Sequence, residues 1–368
     1  MSVINEPQQI TIEWLTAVLY RRGLLPVGEI EHIHFRPNEA FNSTVLHLEV
    51  VYSSDTPSTA PRAILVKLNR HHNGELEDHF YQHIQGLPNH QLPVVNCYEA
   101  AYDPDTGFSH CLLEDVSATH RPPISRHQLI GLQGIPSSPH MESIVDALAQ
   151  FHAYWWESPQ LGSSEGIFAV RPWYRDQAYF QQHFARRKNE WTQFSAQVGT
   201  ELPTELTALY EQVLSHFPHL WARYLGPRIT DLQAITVTHG DCYLTQFLCP
   251  KEGIQGQTYL VDFDSASANF GAYDLAYLIP TFWTREQRTQ NTREQNLLRR
   301  YHQGLLAHGV VGYPWETLLD DYRLMISMMI FDPVWDQTNG SSKAYWQPKM
   351  QCLTDAYIDL NCAALLAD

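Results

Sequence analysis

Between Thr11 and Arg22 the apolar residues Ile12, Leu15, Val18 and Leu19 recur at helical intervals and Gly23 follows, which predicts a short amphipathic helix with a glycine stop. The period then changes. From Val45 to Tyr52 the set Leu46, Leu48, Val50 and Tyr52 alternates with His47 and Glu49, the two-residue repeat of a half-buried strand. Ala63 to Leu68 is a second β-rich run after the turn-forming stretch Ser53 to Pro61, so the two runs predict an antiparallel hairpin. Leu76, Phe80 and Ile84 then lie four residues apart, a helix face that suits packing on that sheet, and Cys111 to Glu114 reads as a further strand.

Ser117 to His140 is rich in Pro, Ser, Gly and His and has little periodicity, the mark of a connector or flap. Beyond it the spacing is helical. Ser138-Pro139 supplies an N-cap and first-turn pair for a helix with Ile144, Leu148, Phe151 and Trp155 on one face, and helical patterns recur at 203–225, 293–308 and 315–331. Nine of the ten tryptophans follow residue 150, which places the aromatic weight in this helical part. No internal repeat or low-complexity tract occurs. The pattern therefore reads as α+β, with residues 1–115 a small sheet carrying one or two helices and residues 116–368 mostly helical.

Composition narrows the function classes. A chain of 368 residues with 44 % hydrophobic and 17 % charged residues is globular, long enough for about two domains. Acidic residues outnumber basic ones 40 to 24, a formal charge of -16, which argues against nucleic acid or an anionic membrane as partner. The six cysteines, at 97, 111, 242, 249, 352 and 362, include no C-x-x-C pair and read as free thiols in a reducing cytosol. MSVINEPQQI lacks the features of a signal peptide, and the longest apolar run, Leu324 to Phe331, is too short for a bilayer, so a soluble cytoplasmic protein is expected. Nineteen histidines invite a metal-site reading, but none stands at metalloprotease or zinc-like spacing, and they read as surface and loop residues.

The densest chemistry lies in Thr238-His239-Gly240-Asp241-Cys242-Tyr243-Leu244-Thr245-Gln246-Phe247-Leu248, followed by a strand, Thr258 to Val261, running into Asp262-Phe263-Asp264. One acid stands on a tight loop and another at a strand end. Phosphoryl transfer needs such a pair: one carboxylate orients the attacking hydroxyl and accepts its proton, and another holds the Mg²⁺ that bridges the nucleotide phosphates. Asp241 fits the first role and Asp262 the second. Alone, an H-G-D tripeptide also occurs as a plain turn before a strand.

The stretches HGDCYLTQ at 239–246, VDFD at 261–264 and GAYDLAYL at 271–278 resemble the motifs of the aminoglycoside phosphotransferase and choline kinase-like family. The resemblance continues upstream, in the same order, through NSTVLHLEV at 42–50, LVKL at 65–68, GELEDHFYQHI at 74–84, LLEDV at 112–116 and DALAQFHAYWW at 146–156. It implies a two-lobed protein-kinase-like fold, with the cleft between a β-rich N-lobe and an α-helical C-lobe. By the same resemblance Lys67 contacts nucleotide phosphates and Glu77 pairs with it. Glu75 is a rival, but its helix phase differs by about 200°, and Glu77 lies on the apolar edge beside Leu76. Leu113, Glu114 and Val116 would form the hinge that takes the adenine edge, although a core strand entering a loop fits those letters equally well. Asp274 and His239 would brace the catalytic loop.

Two departures from the family pattern stand out. Gln246 occupies the place of an asparagine metal ligand; its amide oxygen can still take Mg²⁺, displaced by roughly one bond length. The phosphate-covering stretch Arg36 to Thr44 contains no glycine, which leaves Asn42, Ser43 and Thr44 to supply side-chain contacts. The expected function is an ATP- and Mg²⁺-dependent kinase acting on a hydroxyl of a small-molecule acceptor. The alternative is a catalytically impaired kinase-like scaffold or sensor that binds a nucleotide or metabolite. An acidic, Trp-rich C-lobe suits a cationic acceptor and a flat apolar alcohol suits it equally; Asp332, Trp335 and Asp336 form a candidate acceptor cluster, but a helix end with solvated acids fits them better. NSTVLHLEVVY and the long C-terminal helical region look closer to the ecdysteroid-kinase-like branch, which tilts the expectation towards a larger or less charged alcohol.

Overall fold

In the computed structural model, which describes residues 3–39, 43–69, 74–87, 92–164, 166–198 and 201–367, the Thr11 side chain accepts a hydrogen bond from the Trp14 N–H and caps α1 (Ile12–Arg21). Contacts divide the chain into two units, Met1–Arg121 with Pro250–Ala266, and Pro122–Cys249 with Ser267–Asp368. Asp262 thereby belongs to the same unit as Lys67.

In the first unit β1 (Ile30–Glu39), β2 (Ser43–Tyr52), β3 (Ala63–Asn69), β4 (Cys97–Tyr102) and β5 (Ser109–Glu114) form one antiparallel sheet in the order β1-β2-β3-β5-β4. The hairpin expected from the alternating runs is β2–β3. Side chains alternate across a strand, so Leu46, Leu48, Val50, Ile64, Val66 and Leu68 share one face and bury against Leu15, Val18 and Leu19 of α1. Val45, His47, Leu65 and Lys67 therefore turn to the other face and are only half-buried. A second helix, α2 (Gly74–Gln85), packs on β4 and β5.

β1 and β4 were not anticipated. Both are sheet edges, where one neighbour is missing and burial imposes a weaker alternation on the sequence. The stretch Arg36 to Thr44, expected as a loop, is strand on both sides, with Glu39 opposite Thr44; Asn42 lies outside the described residues. The expected connector at 117–140 holds a short helix, α3 (Arg126–Ile130), closed by a capping box between Ser125 and Gln128. Five residues are too few to show a period.

The second unit is built on α4 (Ser138–Trp155), α5 (Gln177–Val198), α6 (Thr204–Ser215) and the later helices Arg293–Ala307, Trp315–Met329 and Lys343–Asp359. The N-cap of α4 is Ser137, one residue before the expected position, with Pro139 in the first turn. Helix Arg293–Ala307 lies so close to α4 that a Cβ on Gly304 would stand 2.7 Å from that of Ala149. The 22-residue α5 escaped the pattern because its buried face includes Arg187 and Glu190 among Phe180, Trp191 and Phe194. Two short strands, Thr236–Thr238 and Ser267–Asn269, pair antiparallel and flank the loop that begins at His239. All six cysteines are free, and no described helix is long and apolar enough to cross a membrane.

Candidate active site

The sheet face opposite the α1 core carries the first group of polar residues. Lys67 extends from β3 to Glu77 of α2, with Nζ 2.9 Å from Oε1 and 2.7 Å from Oε2, and also binds the Asp262 carboxylate. Asn69, two residues further along β3, donates from Nδ2 to Glu77 Oε2 at 2.9 Å. Glu77 is 1 % exposed whereas Glu75 is exposed, so the helix phase selects the residue that the apolar edge indicated. Burial alone would depress the Lys67 ammonium, but Glu77 and Asp262 together outweigh it and raise its pKa.

Asp262 has φ +73°, a left-handed conformation that costs an aspartate of order 1–3 kcal/mol and persists where the surroundings impose it. The next residue supplies that constraint. Phe263 stacks on Phe80 of α2 with centroids 3.7 Å apart and meets the edge of Tyr81 at 6.0 Å, fixing the segment to the helix that carries Glu77.

Leu113 and Glu114 end β5. Asp115 donates its N–H to Ala63 at 3.2 Å, and its carboxylate accepts from Ser117 N–H at 2.9 Å and meets His47 Nδ1 at 2.6 Å. Burial works against that carboxylate, but Ser117 and His47 prevail and lower its pKa. The Val116 carbonyl accepts from the Thr119 and His120 amides, whereas among the described residues no group accepts from the Val116 N–H. Ser43 and Thr44 lie opposite Asn69 and Leu68, at the β3 end just beyond Lys67.

The second unit carries the other group. His239 and Gly240 donate their N–H groups to Asp274 Oδ2 and Oδ1 at 2.6 and 3.0 Å, and Gly240 turns with φ +85°, which a glycine adopts without strain. Asp274 is fully buried on the helix Ala272–Leu278 and also accepts from His152 Nε2 at 3.0 Å. With that nitrogen donating, His152 Nδ1 is the acceptor for Tyr301 Oη at 2.7 Å. Burial opposes the Asp274 charge, but His152, His239 and the Gly240 amide outweigh it and lower its pKa. The His239 ring accepts the Asp241 N–H at 3.4 Å, and Gln246 donates from Nε2 to Asp241 Oδ2 at 3.4 Å. Asp241, Tyr243 and Gln246 remain part-exposed.

The acids read as solvated are not. Asp332 accepts from Arg187 at 2.7 Å, and Asp336 forms an ion pair with Lys349 at 3.0 Å in which the side chains are 6 % and 3 % exposed. Their partners lie more than a hundred residues upstream and one helix downstream, so no local charge run could show the pairing.

The family model for ecdysteroid kinase-like proteins matches residues 78–309, well over half of the chain. The chain belongs to the ecdysteroid kinase-like family. Comparison with curated proteins gives no match. Among solved structures, the family member is similar to a choline/ethanolamine kinase family protein from Mesorhizobium loti, at 13 % identity over 90 % of this chain and 92 % of that one, with a TM-score of 0.49. It is likewise similar to the GDP complex of aminoglycoside 2'-phosphotransferase-IIIa, at 13 % identity over 95 % and 99 % with a TM-score of 0.49. A spectinomycin phosphotransferase in complex with ADP and spectinomycin gives 13 % identity over 98 % of each chain and a TM-score of 0.46. The fold is α+β, a small sheet-bearing N-terminal part and a larger helical part.

Several residues that shape these groups were not singled out from the sequence: Asn69, His152, Tyr301 and Lys349. One left a signal. His152 follows Leu148 by four positions on a face that is otherwise apolar, which marks a buried histidine that needs partners.

Proposed function

We propose that this ecdysteroid kinase-like protein is an ATP-dependent small-molecule kinase that moves the γ-phosphoryl group to a hydroxyl of its acceptor. The observation that carries the reading is the Lys67 ammonium held by Glu77 and Asp262 on one face of the sheet, with Asp262 in a strained conformation. A lysine fixed in this way presents a positioned positive charge to nucleotide phosphates, and the Val116 N–H suits the adenine edge. Leu113, Glu114, Ser43 and Thr44 line the same reading of the sheet, as does Asn42 by sequence alone.

Asp241 is the proposed base. Asp274 holds the two amides that precede it, so its carboxylate meets an acceptor hydroxyl in a fixed orientation and takes its proton as the oxygen attacks phosphorus. By residue type each expected ligand suits a hard divalent ion on its own: Asp262 offers a carboxylate in the first unit, and Gln246 offers an amide oxygen in the second, its NH₂ being the group turned to Asp241. When bound, Mg²⁺ neutralises phosphate charge. Gln246 in the place of an asparagine ligand, with a phosphate-covering stretch that contains no glycine, is what favours the second reading, a nucleotide-binding protein without turnover.

ADP release with Mg-ATP and a panel of alcohols separates the two. Asp241→Asn is expected to lower turnover by about 10²–10⁴-fold while ATP still raises the unfolding temperature, and Lys67→Met is expected to weaken that thermal shift. ATP stabilisation with no turnover above the Asp241→Asn background establishes the binding protein instead.

A further inference from the structure

A cavity of about 350 Å³ opens between α4 and the helix Arg293–Ala307, a volume within the range of small-molecule sites. The two helices run parallel: Arg300 reaches Glu142 and Asp146, and further along both helices Gly304 abuts Ala149. Their N-terminal ends therefore lie side by side, and the cavity borders that end, with Pro136 and Ser138 on one side and Asn291 and Arg293 on the other. Neither N-cap, Ser137 nor Thr292, makes a side-chain cap bond, so no side-chain oxygen of either cap offsets the partial positive charge of its helix end. The one acid in either first turn, Glu294, is buried and paired with Arg288 at 2.8 Å.

The lining is cationic in a chain whose net charge is -16. Its only acid, Glu142, accepts from Arg300 at 2.9 Å, and Arg300 makes two further bonds to Asp146 at 2.7 Å. Arg293 and Arg299 have no such partner: among the described residues Arg293 donates to the Gln287 carbonyl and to Gln290 Oε1 at 3.1 Å, and Arg299 lies 4.6 Å over the Trp315 ring. Two positive charges thus border the cavity with no acid to neutralise them. Asn296 adds an amide donor, and the buried Met141 and Leu297 add an apolar floor. Asn291 and Thr292 enter this wall in consecutive left-handed conformations, φ +52° and +53°, which non-glycine residues keep only where the fold imposes them.

We propose that this cavity binds a small organic phosphate, with its head on Arg293 and Arg299 beside the paired helix ends and its apolar part on Met141 and Leu297. A guanidinium presents a planar fork of donors that matches phosphate oxygens, and a dianion answers two charges that no carboxylate meets. The site does not depend on the kinase reading: every lining residue lies in the second unit, and none belongs to the His239–Gln246 loop or to the Lys67 group. Its walls are the two helices that bring His152 and Tyr301 together beneath that loop, so an anion held between them stabilises the framework on which Asp274 rests.

Isothermal titration calorimetry of the full chain at constant ionic strength, with and without saturating Mg-AMP-PNP, compares phenyl phosphate with benzoate, inorganic phosphate and benzyl alcohol. Phenyl phosphate is expected to bind most tightly, with an affinity that the nucleotide leaves unchanged, and benzyl alcohol not at all. The double variant Arg293→Gln, Arg299→Gln is expected to weaken phenyl phosphate by about tenfold or more. Ser138→Glu sets a carboxylate at the cavity rim in the first turn of α4, where an acid favours the helix, and is expected to abolish binding without lowering the unfolding temperature of the free protein. Phenyl phosphate displaced by Mg-AMP-PNP belongs to the nucleotide site, and that result overturns the proposal. Equal affinity in the wild type and both variants, tighter binding of benzoate, or no binding at millimolar concentration overturns it as well.

Discussion

Asp274→Asn isolates the brace beneath the loop that carries Asp241. Three donors converge on two carboxylate oxygens: the His239 N–H and His152 Nε2 on Oδ2, and the Gly240 N–H on Oδ1. Asparagine offers one oxygen and turns an NH₂ towards at least one of these donors. A buried N–H left unsatisfied costs about 1–3 kcal/mol and a hydrogen bond to a charged group contributes about 1.5–3, so the substitution should cost about 3–5 kcal/mol. At about 2–4 °C per kcal/mol for a unit of this size, the unfolding temperature should fall by roughly 6–20 °C. The difference between wild type and variant also has a fixed pH dependence. Because the folded pKa of Asp274 is depressed below its ordinary 3.8, the carboxylate's contribution is full above that value and is lost as pH falls through the lower folded one. Thermal unfolding of both proteins between pH 7 and pH 3 measures this. A variant within about 2 °C of wild type at pH 7, or a gap that widens in acid, would refute the bracing argument.

Four further substitutions probe other parts. Gly271→Ala would place a Cβ 2.5 Å from Tyr301 Oη and 3.1 Å from His152 Nδ1, and should destabilise by about 1–3 kcal/mol in urea unfolding. Adding Tyr301→Phe removes the hydroxyl that the methyl meets, so the double variant should lose less than the sum of the singles; strict additivity would count against a clash. Asn69→Ala deprives Glu77 of one donor and should cost about 1.5–3 kcal/mol by the same unfolding assay, with a smaller ATP-induced thermal shift. Asp78 is 1 % exposed, its Oδ1 has no hydrogen-bond partner among the described groups, and burial pushes its pKa up to about 6. Ionising it therefore costs stability as pH rises from 3.8 through about 6, and Asp78→Asn should gain up to about 3 kcal/mol above that range and nothing near pH 4. A gain independent of pH would mean that the charge is not its source.

What the sequence revealed depended on how far apart the cooperating residues lie. The alternation in β2 and β3 and the phase of α2 are local properties, and the phase chose Glu77 over Glu75 as the partner that the resemblance implied for Lys67. The Asp241 and Asp274 stretches stood out because each is a short consecutive run that matches a family motif. Asp262 was found by its strand end but assigned by chain order to the helical part, and only three-dimensional contacts return Pro250–Ala266 to the first unit. The ion pairs of Asp332 and Asp336 were read with the wrong sign of exposure. Their partners, Arg187 and Lys349, sit on other helices, and a charged residue on a helix looks solvated until its neighbour is known. That error is one of packing: an ion pair between helices is made by tertiary contacts that no local pattern encodes, so neither acid could be told from a solvated one before its partner was placed.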